Sequence, residues 1–171
     1  MTTARYSVQR LTIDVGATLP AFRARYEAAV PRLPEKDIVA LVARRAPWQE
    51  MLELVERSAP FGFLIYNTID ADPIMHLAGD RGSCTAYLMG NHTIAERMFR
   101  HEPSAMLHAP LRTAIWSAGD GAPARFSFDK PSDHFGSYAN ADIAAVGREL
   151  DRKMVVLLEH LDVPVPDELR A

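Results

Sequence analysis

The chemistry available to this chain rests mainly on its six histidines and one cysteine, and two of the histidines stand out by position. His92 follows Gly90-Asn91, a turn in which Asn91 reads as the cap of a helix, so the imidazole sits just inside a helix start. Extra positive charge is disfavoured there, so His92 is expected to stay neutral near pH 7, fit to act as a general base or as a metal or haem ligand. The plainer alternative is a solvent-facing residue in a first turn. His108 lies two residues before Pro110 and is expected on extended chain, either as a second acid–base group or as a partly buried ring bonded to backbone. Arg112 opens a strand just beyond. A buried arginine requires a carboxylate, and Asp70, Asp129 or a bound acidic ligand would supply it. His92 and His108 are therefore the candidate catalytic pair, with Arg112, Asn91, Tyr66 and Trp116 as candidate ligand-binding residues.

A haem or metal site is the competing reading, drawn from His76 (beside Met75), His92 and His108. His101-Glu102 begins like a zinc-protease motif, but Pro103 follows and position 105 is alanine. His134 follows Asp133 in what reads as an exposed loop. Cys84 lies on an apolar strand, where a thiol is more often inert than nucleophilic. No Ser-His-Asp spacing, glycine-rich phosphate loop or dinucleotide fingerprint occurs.

Behind these residues lies an alternation of strand and helix signals. Leu11, Ile13 and Val15 alternate with polar residues, the mark of a half-buried strand. Thr18 then reads as the cap of a helix with Leu19, Phe22, Tyr26, Ala29 and Val30 on one stripe, ended by Pro31. Between residues 31 and 60, prolines bound two short helices, one with Ile38, Leu41 and Val42 on a face, the other with Trp48, Met51, Leu52 and Val55. Helices this short need something to dock on, which is either the core, a pocket they cover or a second copy of the chain. Residues 61–70 read as a strand apolar on both faces, which suggests a central position. A helical turn is expected from Asp72-Pro73 to about Gly79. A strand follows at 84–89, then a helix to about His101 with Ile94, Ala95, Met98 and Phe99 inward. Residues 111–118 and 124–129 pair as a hairpin across Gly119-Asp120-Gly121. The clearest element is the last helix, capped by Asn140, with Ile143, Val146, Leu150, Met154, Leu157, Leu158 and Leu161 at spacings of three and four. The tail from 162, with Pro164 and Pro166, is expected to be loosely held.

Composition sets the outer bounds. Hydrophobic residues make up 48% and charged residues 24% of 171, the balance of one globular domain. The net charge is −3 with scattered Lys and Arg, against the basic stripe of a nucleic-acid binder. No signal-peptide core or membrane-length apolar run is present, so a cytoplasmic location is expected, and Asn91-His92-Thr93 counts as a chance glycosylation sequon.

Several motifs together carry a family resemblance: Ile69-Asp70, Gly90-Asn91, Ala95-Glu96-Arg97-Met98, Ala109-Pro110-Leu111-Arg112, Phe128-Asp129-Lys130-Pro131-Ser132 and Arg148-Glu149-Leu150-Asp151. From Ile69 to Leu161 the chain resembles the bacterial domain-of-unknown-function family 302. The resemblance implies an antiparallel sheet backed by helices, in the class of folds like the TATA-box-binding protein, and no agreed activity. Two departures stand out: His92 where the family pattern has proline, and His108 where it has tyrosine. Both flank family-specific motifs and are expected to face one cleft. The helices at 31–60 look like an addition.

The sequence thus points to an α+β fold, an antiparallel sheet of about five strands covered by a long C-terminal helix, with an extra helical pair at about 31–60. The expected function is binding a small, mostly apolar molecule between sheet and C-terminal helix, with cofactor-free acid–base chemistry of isomerase, lyase or cyclase type. The alternatives are the haem or metal site and a protein-interaction module built on the 31–60 helices. The partners expected are a small-molecule ligand and a second copy in a homodimer, with no nucleic acid and no membrane.

Overall fold

The structure is a computed structural model that describes residues 3–119 and 121–170. Five strands, β1 (Arg10–Asp14), β2 (Leu64–Asp70), β3 (Ser83–Gly90), β4 (Leu111–Ser117) and β5 (Arg125–Asp129), form one antiparallel sheet in the order β1-β5-β4-β3-β2. The alternation read from the sequence is visible in β1, where Leu11 and Ile13 are buried and Arg10, Thr12 and Asp14 are exposed. The same period carries Phe126 and Phe128 of β5 and Leu111, Thr113 and Ile115 of β4 onto the inner face.

Helices α1 (Leu19–Ala29), α5 (His92–Phe99), α6 (Pro131–Gly136) and α7 (Ala141–His160) contribute to the core on that inner face. Asn140 caps α7 as expected, its Oδ1 accepting from the backbone N–H of Asp142 and Ile143. Buried Ile143, Val146, Leu150, Met154, Leu157 and Leu158 form its inner stripe. Thr18 stands at the start of α1, but its side chain makes no capping bond. Pro20 in the first turn supplies the helical φ instead.

Three expectations need correction. First, β2 lies at the edge of the sheet rather than in its centre. Its two-faced apolarity comes from helix α3 (Trp48–Ser58): Phe63 and Ile65 enter the main core, while Leu64 joins a second cluster with Val55 and Ala59 of the α3 segment. The strand's free edge is partly closed by residues 31–33, since Ile65 N donates to Pro31 O and Leu33 N donates to Ile65 O. Second, residues after Pro131 form α6 rather than a loop, with Phe135 buried. Third, the tail is held, because Val163 and Leu169 are both buried in the main core.

The two short helices behave differently. In α3 the buried residues are Leu54 and Val55, and Trp48 and Leu52 remain exposed. Helix α2 (Glu35–Ala43) buries no residue, and Val39 and Val42 face solvent; the single turn α4 (Asp72–Met75) between β2 and β3 also buries none. No helix among the described residues is long and apolar enough to cross a membrane.

Candidate functional site

Residues at one end of the sheet enclose a cavity of about 220 Å³. The walls come from Phe63 before β2, Gly90 at the end of β3, Ile94, Ala95 and Met98 of α5, Met106 and the Ala109-Pro110-Leu111 run entering β4, Phe135 of α6 and Leu150 of α7. The long helix α7 thus lends one residue, as does the 3-10 turn Pro103–Leu107, whereas α5 lends four.

Asn91, His92 and Tyr66 are the polar side chains in that wall. Both ends of the Asn91 amide are engaged: Oδ1 accepts from Thr93 N at 2.9 Å, Ile94 N at 3.3 Å and Thr93 Oγ1 at 2.7 Å, and Nδ2 donates to Gly62 O at 3.0 Å. It therefore caps α5 and ties it to the chain before β2, which fixes the next residue. His92 Nδ1 lies 2.8 Å from Tyr66 Oη, the rings 4.8 Å apart. Burial lowers the His92 pKa and raises that of Tyr66 well above the usual tyrosine range. The pair is therefore neutral on both sides at pH 7. Nothing in the sequence announces this partnership, because Tyr66 is 26 positions away and reaches His92 from beside a β-bulge between Ile65 and Asn67.

His108 and Arg112 stand in a second cavity of about 310 Å³, beyond Pro110 and Leu111, which line both. His92 and His108 therefore do not share one cleft. The Ala109–Pro110 peptide is cis, and His108 ends the preceding 3-10 turn with φ −112° and ψ 5°, not extended chain. Its ring stacks on His134 at 4.3 Å and 19°. Tyr6 Oη meets both, 3.1 Å from His108 Nε2 and 3.3 Å from His134 Nδ1. His134, read from sequence as exposed, is half-buried in this stack, with Nε2 3.8 Å from Asp129 Oδ2. Burial first, then His134 and Arg112, lowers the His108 pKa. Nothing in the sequence announces the Tyr6–His134 contact, because it spans 128 positions and is made through the β1–β5 pairing.

The remaining candidates lie elsewhere. Trp116 is on the same outer strand face as Arg112 but four residues on, roughly 13 Å along β4, where its Nε1 donates to Ser127 Oγ and the Arg125 guanidinium covers its ring. Arg112 is exposed rather than buried. His76 is exposed and bonds Gly82 O at 3.1 Å. Thus the first cavity has His92, the second His108, and neither has His76. Among the described residues no group of three His, Cys, Asp or Glu side chains stands close enough to hold a metal.

An antiparallel sheet with its main helical layer on one face, α3 on the outer face of β2 and a small apolar cavity at one end defines an α+β class without a stated chemistry. The family model "Domain of unknown function DUF302" matches residues 43–161, and the chain belongs to that family. The match takes in α3, so only α2 of the 31–60 pair lies outside it. A crystal structure of an uncharacterized conserved DUF302 protein from Bacillus stearothermophilus aligns with a TM-score of 0.62 over 89% of this chain and 97% of that one, at 11% identity. At that identity the likeness is one of fold. No curated protein matches the sequence.

Proposed function

We propose that this chain binds a small, mostly apolar molecule in the 220 Å³ cavity, with the Tyr66–His92 pair as its polar anchor. The observation that supports this is the make-up of the wall: aliphatic, methionine and phenylalanine groups, one asparagine whose amide is already occupied, and a single neutral hydrogen-bonded pair. Ligand sites have this pattern of apolar surface with few polar groups. An apolar cavity of about 150 Å³ already admits benzene, so the space suits a single-ring or short branched molecule.

The pair can also move a proton. With Tyr66 donating to Nδ1, the His92 Nε2 carries hydrogen and donates; with Nδ1 donating to Tyr66, Nε2 is the free base and the phenol can donate to a ligand. Either state leaves Nε2 without a protein partner among the described residues. Acid–base rearrangement of a bound molecule, as in isomerases, lyases and cyclases, is the chemistry such a pair serves. The competing haem or metal reading has less support, since His76, His92 and His108 are separated as described.

The test uses the methyl groups of Met98 and Met106, which line the cavity, as NMR reporters during titration with toluene and p-cresol. Both compounds should shift these methyls saturably, and p-cresol should bind more tightly through its hydroxyl. His92→Ala should abolish that preference. Unshifted methyls at the solubility limit of both probes would refute the reading.

A further inference from the structure

The second cavity holds a charge that the protein leaves unbalanced. Across the outer face of the sheet, Leu88 of β3 pairs with Arg112 of β4, and Asp129 of β5 pairs with Arg10 of β1. The β4–β5 register that pairs Thr113 with Phe128 sets Arg112 across from Asp129 one step further on. Two guanidiniums therefore flank one carboxylate. Asp129 is committed to Arg10, whose Nε donates to Oδ1 at 3.1 Å. Asp70, the other carboxylate expected for Arg112, accepts from Asp72 N. Arg112 is left with no ion pair or hydrogen bond among the described residues, at the wall of a cavity of about 310 Å³.

We infer that this cavity is a binding site for a small organic carboxylate, held by Arg112 with His108 and His134 at its side and Leu107, Pro110 and Leu111 against its hydrocarbon part. The reasoning is one of complementarity. A guanidinium fork matches a carboxylate with two parallel N–H···O bonds, and the apolar residues of the wall favour an organic body over a bare inorganic ion. The site lies outside the Tyr66–His92 cavity and does not depend on that cavity being occupied. The groups facing His108 are Arg112 from β4, His134 from α6, Tyr6 from the N-terminal segment and Tyr138 after α6, and Asp129 of β5, already paired with Arg10, also lines the cavity 3.8 Å from His134 Nε2. Two of these, Arg112 and His134, are a cation and a potential cation, so an anion placed among them makes protonation of His108 easier, and by linkage protonation tightens the anion.

Titration of the full chain with benzoate, followed through the histidine ring signals, tests the site. Saturable shifts of His108 and His134 are expected, with the His108 titration moved to higher pH in the bound state. Arg112→Gln should weaken binding by about tenfold or more, the loss of a charge-assisted pair. Arg112→Lys should keep part of the affinity, since the charge remains and the fork is gone. Because Arg112 is exposed and unpaired, both variants should melt like the wild type. Benzoate shifts confined to His92 would overturn the inference by placing the anion in the first cavity. Equal affinity in Arg112→Gln, or saturable binding of inorganic phosphate but not benzoate at the second cavity, would overturn it as well.

Discussion

At the scale of single residues, the two histidines singled out by position both have a ring partner, but a different one each. His92 bonds Tyr66, and removing the imidazole leaves a half-buried phenol without its partner. His92→Ala is expected to cost about 1 kcal/mol, and the cost should shrink when Tyr66 is already phenylalanine. A double-mutant cycle in urea reads this coupling directly; purely additive losses would mean the bond contributes nothing. Acid should have a separate effect. Burial lowers both the His92 and the His108 pKa from 6.5, so the unfolded chain takes up protons first as pH falls. The stability these neutral rings contribute is complete above about pH 6.5 and is lost as pH drops towards their folded values. The melting temperature should therefore decline as pH falls below about 6.5, and His92→Gln should remove part of that slope. An unchanged slope in this variant would show that His92 does not titrate abnormally. His92 was legible in advance because Asn91 marks a helix start. Tyr66 was not, because only the pairing of β2 with β3 brings it near.

At the scale of elements, the packing of α6 on α7 shapes the cavity. Gly147 lies mid-helix in α7, where alanine would ordinarily be favoured by about 1 kcal/mol. A Cβ there would stand 3.0 Å from Phe135 Cβ and 3.0 Å from Ser132 Cα. Overpacking of this kind typically costs about 1–3 kcal/mol, so Gly147→Ala should destabilise in urea unfolding despite its helix propensity. It should also weaken toluene binding, since Phe135 lines the cavity. A stabilised variant would show that α6 yields freely. Asp151 makes the second link between these helices: it is buried, and its Oδ1 accepts from Ser132 N at 3.0 Å in the first turn of α6. Burial above all raises its pKa. Asp151→Asn keeps an acceptor without a buried charge and should be tolerated, whereas Asp151→Ala orphans the Ser132 N–H and should cost about 1–3 kcal/mol. Equal losses in the two variants would assign the effect to charge rather than to the bond. Asp151 falls within a family motif, yet its role is not legible from sequence, because the short segment that holds its partner Ser132 carries loop signals rather than helical periodicity. The periodicity of α7, by contrast, was plain from Ile143 to Leu161.

At the scale of the whole molecule, the strand and helix order was legible and the sheet order was not. The alternation in residues 11–15 and the stripes of α1, α5 and α7 encode which face is buried, and that is local information. Which strand lies at the edge is decided by what covers it. Phe63, Leu64 and Ile65 read as central because both faces are apolar, yet Leu64 is buried under α3, an element read as an addition to the family fold. The match beginning at residue 43 makes α3 part of that fold, and the packing agrees. Helix α3 closes the outer face of β2, and β2 carries Tyr66 to His92. Leu64→Ala should therefore do two things at once. Removing a fully buried leucine should cost about 2–5 kcal/mol, and loosening α3 should disturb the Tyr66 side of the cavity, so that p-cresol loses its advantage over toluene. Paired Val39→Lys and Val42→Lys on α2 supply the contrast. Both residues are exposed, so the change should leave melting and probe binding alone. Should α2 prove as costly as Leu64, the outer helices would act as one structural unit; should Leu64→Ala leave the p-cresol preference intact, the cavity would be held by α5 and the Ala109–Leu111 run without help from the far side of the sheet.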